Sequence, residues 1–115
     1  DLAGHPVVGS SFEGFVIENL IAVLPYPTRV SFYRSRRGAE IDLLLALPQQ
    51  LGIWAIEIKS GFSARPSRGF YHAIEDIFPT KCFVVYAGKD RYKIAVNIEA
   101  ISLQELSVLV KECTG

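Results

Sequence analysis

Three ionisable residues, Asp42, Glu57 and Lys59, lie in two otherwise apolar segments of the chain. Two carboxylates placed side by side on an apolar sheet repel each other, and their removal from water makes the ionised pair still less favourable. Such a pair needs a compensating cation, and Lys59 supplies part of it. A hard divalent ion such as Mg²⁺ is the other candidate, because it prefers carboxylate oxygens and keeps several waters for chemistry. These residue types are typical of a metal-assisted hydrolase.

Strand geometry predicts how the two carboxylates meet. Alternate residues of a strand share a face, which predicts one face carrying Glu40, Asp42 and Leu44 and an opposite face carrying Ile41, Leu43 and Leu45. If the two segments pair across a tight turn at Gln49-Gln50, partners have numbers that sum to 99, and Asp42 lies opposite Glu57. The alternative is a solvated face with an ordinary cross-strand salt-bridge cluster. Spacing alone leaves both interpretations open.

The surrounding pattern predicts elements in the order α-β-β-β-α-β-β-α. Helical spacing predicts a first helix over residues 10–24, and Leu103, Leu106, Leu109 and Val110 indicate a short closing helix. A middle helix, marked by Phe70, Ala73, Ile74 and Ile77, should end before Pro79. The predicted strands are residues 28–34, 39–47, 53–59, 81–87 and 91–96. The first three should form an antiparallel meander, and the fold class is α/β.

Composition narrows the class of protein. The chain has 115 residues, half of them apolar, and twelve basic residues balance twelve acidic ones. This size and apolar content predict one globular domain spanning residues 1–115, and the zero net charge means that any anionic partner must be held locally. Two cysteines without disulfide or metal-ligand spacing favour a reducing cytoplasm, and no segment predicts membrane association. Because the chain begins with Asp1-Leu2 and contains no methionine, we expect it to be an excised part of a longer protein, although processing of a short leader would give the same appearance.

Several motifs, taken together, resemble a nuclease superfamily. Asp42, followed after a hairpin by Glu57-Ile58-Lys59, resembles the core motif of PD-(D/E)XK nucleases, and segment 34–42 is similar to archaeal Holliday-junction resolvases. Closer still is the C-terminal domain of unknown function that follows the ATPase module in many bacterial and archaeal AAA-type ATPases. The matching elements, in order, are residues 9–13, 33–34, 38–42, 57–59 and 61.

The resemblance implies a restriction-endonuclease-like fold, with a central mixed sheet flanked by helices, and a site for Mg²⁺ or Mn²⁺. By resemblance, Asp42, Glu57 and the carbonyl of Ile58 hold the metal. Lys59 orients or helps to deprotonate the attacking water, and Glu13 completes the site. A bound metal lowers the pKa of its water and neutralises charge that develops on phosphate.

Other residues allow more than one interpretation. Glu13 follows Ser10 at the spacing of a helix capping box, a local role that needs no active site. Arg34, Arg36 and Arg37 flank a predicted turn, where they either grip phosphates or make an exposed, solubilising turn. His5 and His72 have no neighbouring ligands at zinc spacing, and we interpret both as surface or capping residues.

Two functions of different classes remain open. The first is a nuclease-like domain of an AAA-type ATPase that hydrolyses DNA with Mg²⁺. The second is a non-catalytic binding or regulatory module that docks on the ATPase module of the longer parent protein or on another protein. A metal site between Asp42 and Glu57 favours the enzyme, whereas a large exposed apolar patch favours the module.

Overall fold

The computed structural model describes residues 8–114, with side chains from residue 11 onward. The start of the chain, including His5, lies outside the described residues. The elements, in chain order, are α1 (Val8–Ile21), β1 (Arg29–Arg34), β2 (Glu40–Leu47), β3 (Gly52–Ile58), α2 (Arg68–Ile77), β4 (Lys81–Val85), β5 (Tyr92–Ala95), β6 (Ile98–Ile101) and α3 (Leu103–Thr114). The predicted α/β class, with a mixed sheet flanked by helices, is confirmed.

The six strands form one open sheet in the order β1-β2-β3-β4-β6-β5. β1, β2 and β3 are the predicted antiparallel meander, whereas β4 runs parallel to both β3 and β6. The predicted order lacked β6, because Ile98–Ile101 is a run of only four residues directly before α3. β6 inserts between β4 and β5, which makes β5 an edge strand.

Each face of the sheet is covered by helix. α1 and α3 cover one face, where Val16, Leu20, Leu106 and Val110 pack on a cluster built around Trp54. α2 covers the other face with Phe70 and Ala73. Pairs of helical residues three or four apart supply these contacts, because they share one side of a helix. Within residues 8–114, no helix is long and apolar enough to cross a membrane.

The turn between β2 and β3 fixes the register of the proposed site. Leu51 N–H donates to the Pro48 carbonyl, and both central residues, Gln49 and Gln50, have positive φ. Such a two-residue turn matches the twist of an antiparallel pair. The recorded partners run from Leu47 with Gly52 to Leu43 with Ile56. Their numbers sum to 99, so the predicted register is confirmed over these pairs.

Candidate active site

β2 and β3 separate at the end of their ladder, and Asp42 occupies the fork. The Oδ2 atom of Asp42 accepts the backbone N–H of Ile58 at 2.8 Å. In the register of the ladder, Ile58 would otherwise pair with Ile41. The Asp42 carboxylate therefore takes the position of a backbone carbonyl. Because the N–H and C=O of one strand residue point the same way, the Ile58 carbonyl is also directed toward the fork.

A bulge in β2 explains this arrangement. It also places one residue, Ile41, on a different face of the sheet from the one predicted. Ser31 of β1 pairs with Leu44, but Tyr33 pairs with Ile41, so β2 has one extra residue in this stretch. A bulge bends its strand and re-aims side chains. Ile41 was predicted to share a face with Leu43 and Leu45, which was wrong: it packs in the α2-side cluster, whereas they pack on the α1 side.

Glu57 is nearly buried, at 9% exposed, and lies beside the start of α2. Its Oε1 accepts the N–H of Ser67 at 2.9 Å, and its Oε2 lies 3.7 Å from Lys59 Nζ. Ser67 is the N-cap of α2, and its hydroxyl accepts the N–H of Phe70. Negative charge is favoured at a helix N-terminus. Glu57 therefore has a structural partner as well as the predicted pairing with Lys59.

The Asp42 carboxyl has a perturbed pKa. Burial is the largest cause and raises the pKa from 3.8 to about 6, although the hydrogen bond from Ile58 N–H opposes the shift. The negative charges of Glu13, Glu57 and Glu40 contribute to the same rise in pKa. Like charges near a carboxyl disfavour its ionised form. A cation at the fork would relieve this repulsion.

Glu13 lies on α1, in the layer opposite α2, and is near enough to Asp42 to raise its pKa. The chain is already helical at Val8, the first described residue. Ser10 is thus inside the helix and is not a flanking N-cap. The capping-box interpretation of Glu13 was wrong, and its proximity to Asp42 agrees with the alternative.

The predicted arginines lie at the β1–β2 turn. Arg36 and Arg37 are exposed, and Gly38 completes the turn with φ of +91°. Arg34 has an ion partner in Glu40 at 3.5 Å, and its guanidinium lies 5.4 Å from the centroid of the Phe32 ring. Arg36 and Arg37 therefore project into solvent, while Arg34 is engaged by its own hairpin.

Two contacts that bring α2 to the site were missed by the sequence analysis. A Cβ on Gly69 would overlap the carbonyl oxygen of Gly38, so α2 approaches the β1–β2 turn at its second residue. The Tyr33 hydroxyl donates to Asp76 at 2.9 Å and joins β1 to the same helix. Ser67-Arg68-Gly69 is a recognisable helix start, but the approach to a turn 30 residues away leaves no local signal.

The donor set of the fork fits a hard divalent cation in chemistry. Asp42 and Glu57 offer carboxylate oxygens, and Ile58 offers a carbonyl oxygen, the ligand types that Mg²⁺ accepts alongside several waters. Within residues 8–114, no three His, Cys, Asp or Glu side chains form a group that could hold a metal ion. A cation here would therefore depend on two carboxylates, a backbone carbonyl and water.

Other groups offer less chemistry. Cys82 lines a hollow of about 140 Å³ beside β5 and β6. Burial raises the pKa of its thiol to about 11, so the thiol is protonated at neutral pH and unsuited as a nucleophile. His72 is exposed on α2, as predicted for a surface residue.

Comparison with known proteins gives related sequences but no related structure. The chain is 30% identical over 105 residues to the "Uncharacterized protein Mb2031c" of Mycobacterium bovis and to the "Uncharacterized protein Rv2008c" of Mycobacterium tuberculosis. Each alignment covers 91% of the chain but 23% of the relative, so the chain spans about a quarter of the length of these relatives. No solved structure matched the chain. A family model described as "Domain of unknown function (DUF4143)" matches residues 8–106, and the chain therefore belongs to this family.

Proposed function

We propose that this chain is a nuclease-like domain of the PD-(D/E)XK type that hydrolyses phosphodiester bonds in DNA with Mg²⁺ or Mn²⁺. The domain would act in the cytoplasm as part of a longer AAA-type ATPase. The observation that carries the proposal is the fork of β2 and β3, where a partly buried Asp42 with a pKa of about 6 lies among other carboxylates. Carboxyl groups with a strongly perturbed pKa are concentrated at functional sites, and ion-pair networks with a structural role also contain them.

Each residue of the fork has a separate task in this proposal. Asp42, Glu57 and the Ile58 carbonyl would hold the metal, which when bound lowers the pKa of its water and offsets charge on phosphate. Lys59 is one-third exposed, so its ammonium can reach both Glu57 and an incoming phosphate. It would orient the attacking water or help to deprotonate it. Glu13 would complete the carboxylate set from α1.

The arginines of the β1–β2 turn would hold the DNA backbone. Arg36 and Arg37 are exposed beside the N-terminus of α2, and guanidinium groups bind phosphate oxygens in pairs. Arg34 would have to leave Glu40 to make the same contact. Since the ion pair is exposed and 3.5 Å long, this exchange costs little.

Metal binding by the fork is tested with calorimetric titration of MgCl₂ or MnCl₂ into the chain, with and without DNA. We expect binding that is lost in Asp42→Asn, which keeps an acceptor for the Ile58 N–H but removes the charge. Asp90→Asn is the matched control, because Asp90 is an exposed carboxylate outside the fork. If the wild-type chain takes up neither ion even with DNA present, the metal-dependent mechanism fails.

Hydrolysis is then tested on branched and linear DNA with Mg²⁺ present. Lys59→Ala should lower the cleavage rate by about 100-fold or more, the usual range for loss of a group that moves a proton. Metal affinity should change little, because Lys59 is not a ligand. Cleavage that persists in both Lys59→Ala and Asp42→Asn would come from a contaminating nuclease.

The second candidate function is docking on the ATPase module of the same chain. β1 is an edge strand, and it exposes the side chains of Val30 and Phe32, the latter to 66%. An exposed apolar edge strand can pair with another segment. This function becomes the better account if the titration detects no metal, and Phe32→Lys should then weaken the docking.

A further inference from the structure

The loop that follows Lys59 is fastened at both ends. The Gly61 carbonyl accepts the N–H of Ala87 at 2.9 Å, and the N–H of Ser67 donates to Glu57 at the far end. Ala64 and Pro66 are buried between these points. Phe62 nevertheless leaves the loop with 81% of its surface exposed. Exposure of a large apolar ring to water is unfavourable in free energy. Burial of the ring against a bound partner would remove that cost.

A shallow, open groove begins at Lys59 and continues along this loop. Its first part, of about 540 Å³, includes Lys59, Phe62 and Arg65. Its second part, of about 480 Å³, shares Arg65 and extends to Tyr71, Tyr92 and Lys93. Lys59 and Arg65 supply the cationic side chains, and Phe62, Tyr71 and Tyr92 supply the aromatic ones. Lys93 follows Tyr92 in β5 and pairs with Glu99, so its side chain lies on the opposite face of the sheet. Of the described residues that line the two parts, none is a carboxylate, although the chain as a whole has equal numbers of both signs.

The aromatic side chains of the second part are presented to solvent. Tyr92 is 47% exposed and packs edge-on against the buried ring of Tyr86, with centroids 6.4 Å apart. The Tyr86 hydroxyl is itself fixed by donation to the Asp90 carbonyl. The Tyr92 ring is thus positioned by its contact with Tyr86, and part of it remains exposed to solvent. Tyr71 is exposed to a similar degree on α2.

We infer that this groove binds an unpaired, single-stranded segment of nucleic acid and leads it to the fork, so the substrate of the proposed hydrolysis contains a single-stranded stretch. The inference rests on the proposed function of the fork. Lys59 and Arg65 contact phosphates, and Phe62, Tyr71 and Tyr92 stack on bases.

Single strands fit this groove better than duplexes for a physical reason. Bases in a duplex are stacked on one another and offer no open face to an aromatic side chain. Unpaired bases do offer that face, and stacking on aromatic side chains combined with a cationic track is typical of single-strand binding. Two cations alone would serve any anion, but the three aromatic rings add nothing to the binding of a simple polyanion.

Binding is tested by fluorescence anisotropy with a labelled single strand of about 12 nucleotides, a length within the usual range for such sites. The buffer contains EDTA, so the measurement depends on neither metal nor hydrolysis. We expect the single strand to bind more tightly than a duplex of the same sequence. Parallel DNA and RNA strands establish which of the two nucleic acids the groove prefers.

Two variants remove one contact type each. Phe62→Ala should weaken single-strand binding by about fivefold to 100-fold, the range for loss of one stacked base. Arg65→Ala should weaken it in a salt-dependent way. The matched controls are Phe78→Ala, which removes an aromatic ring that is 82% exposed outside the groove, and Arg29→Ala on β1. Both controls should bind as the wild type does.

Three results would overturn the inference. They are equal or tighter binding of the duplex, equal affinities of Phe62→Ala and Phe78→Ala, and displacement of the strand by polyglutamate as readily as by unlabelled strand. These results are separable from failure of the proposed function. A chain that binds single strands but takes up no metal keeps the groove and loses hydrolysis. Metal-dependent cleavage of duplex that Phe62→Ala leaves unchanged keeps hydrolysis and removes the groove.

Discussion

The Asp42 carboxylate accepts the backbone N–H of Ile58, which has no partner in the ladder of β2 and β3. This contact stabilises the ionised form, yet the pKa of the group is raised to about 6, because burial and neighbouring carboxylates outweigh one hydrogen bond. An amide at this position would keep the hydrogen bond and avoid the charge. Stability alone therefore does not account for a carboxylate here, and the proposed metal site would use its charge.

Replacing Asp42 with Asn should stabilise the fold at neutral pH. A carboxyl whose folded pKa lies above its unfolded value binds more protons when folded, so its contribution to stability falls as pH rises from about 4 to 6. The full shift would correspond to about 3 kcal/mol, and partial exposure reduces the expected gain to about 1–2 kcal/mol at pH 8. Denaturant unfolding in EDTA at several pH values measures it.

The same series carries its own control. The stability difference between Asp42→Asn and wild type should shrink as pH falls from 8 to 4, because the wild-type carboxyl becomes neutral. Asp90→Asn, at an exposed position, should change stability little at any of these pH values. A variant of Asp42 that is less stable than wild type at pH 8 would show that the ionised carboxylate is itself a structural requirement.

At the scale of elements, the start of α2 packs against the site and contacts both β3 and the β1–β2 turn. Its N-cap residue donates to Glu57, and its second residue, Gly69, lies against the Gly38 carbonyl. Gly69→Ala should destabilise the fold by about 1–3 kcal/mol, because the added methyl pushes α2 away from a backbone atom that cannot yield easily. Thermal or denaturant unfolding measures this loss.

Gly14 supplies the matched control on another helix. A Cβ at Gly14 meets no atom within 4 Å, so Gly14→Ala should be neutral or stabilise by up to about 1 kcal/mol through better helix propensity. The contrast between the two substitutions isolates the close approach at Gly69. Equal effects at both positions would mean that helix propensity, and not packing of α2 on the turn, determines the result.

Local pattern was sufficient for most elements and for the register. The two-residue turn at Gln49-Gln50 determines the recorded partners of the β2–β3 ladder, from Leu47 with Gly52 to Leu43 with Ile56. The predicted pair of Asp42 with Glu57 lies one step beyond this ladder and is not among its recorded partners. Helical periodicity likewise identified the apolar side of α2 through Phe70 and Ala73. These features depend on residues close in sequence, and for that reason the sequence alone predicted them.

Features that depend on distant segments were not predicted. The bulge that moves Ile41 to the α2 face arises between β1 and β2 and has no marker such as glycine. The helix start beside Glu57 became part of the site through the parallel crossover from β3 to β4. Four-residue β6 was too short to distinguish from a loop. Tertiary packing, rather than local preference, decides each of these.

Across the whole molecule, charge is balanced in number but not in place. The carboxylates around Asp42 occupy the fork, while a groove without carboxylates begins at the adjacent Lys59. Zero net charge provides no long-range field to attract nucleic acid. Affinity must then come from few local contacts, and a substrate strand would pass from the cationic groove to the acidic fork.

This arrangement predicts a weak dependence of single-strand binding on salt. Each phosphate neutralised on a single strand contributes about 0.7 to the slope of log affinity against log salt concentration, so two groove cations give about −1.4. Anisotropy titrations at a series of NaCl concentrations measure the slope. Arg65→Ala should reduce it by about 0.7, whereas Arg29→Ala, at an exposed position on β1, should not. A slope near −3.5 that Arg36→Ala reduces would mean that the strand also crosses the β1–β2 turn.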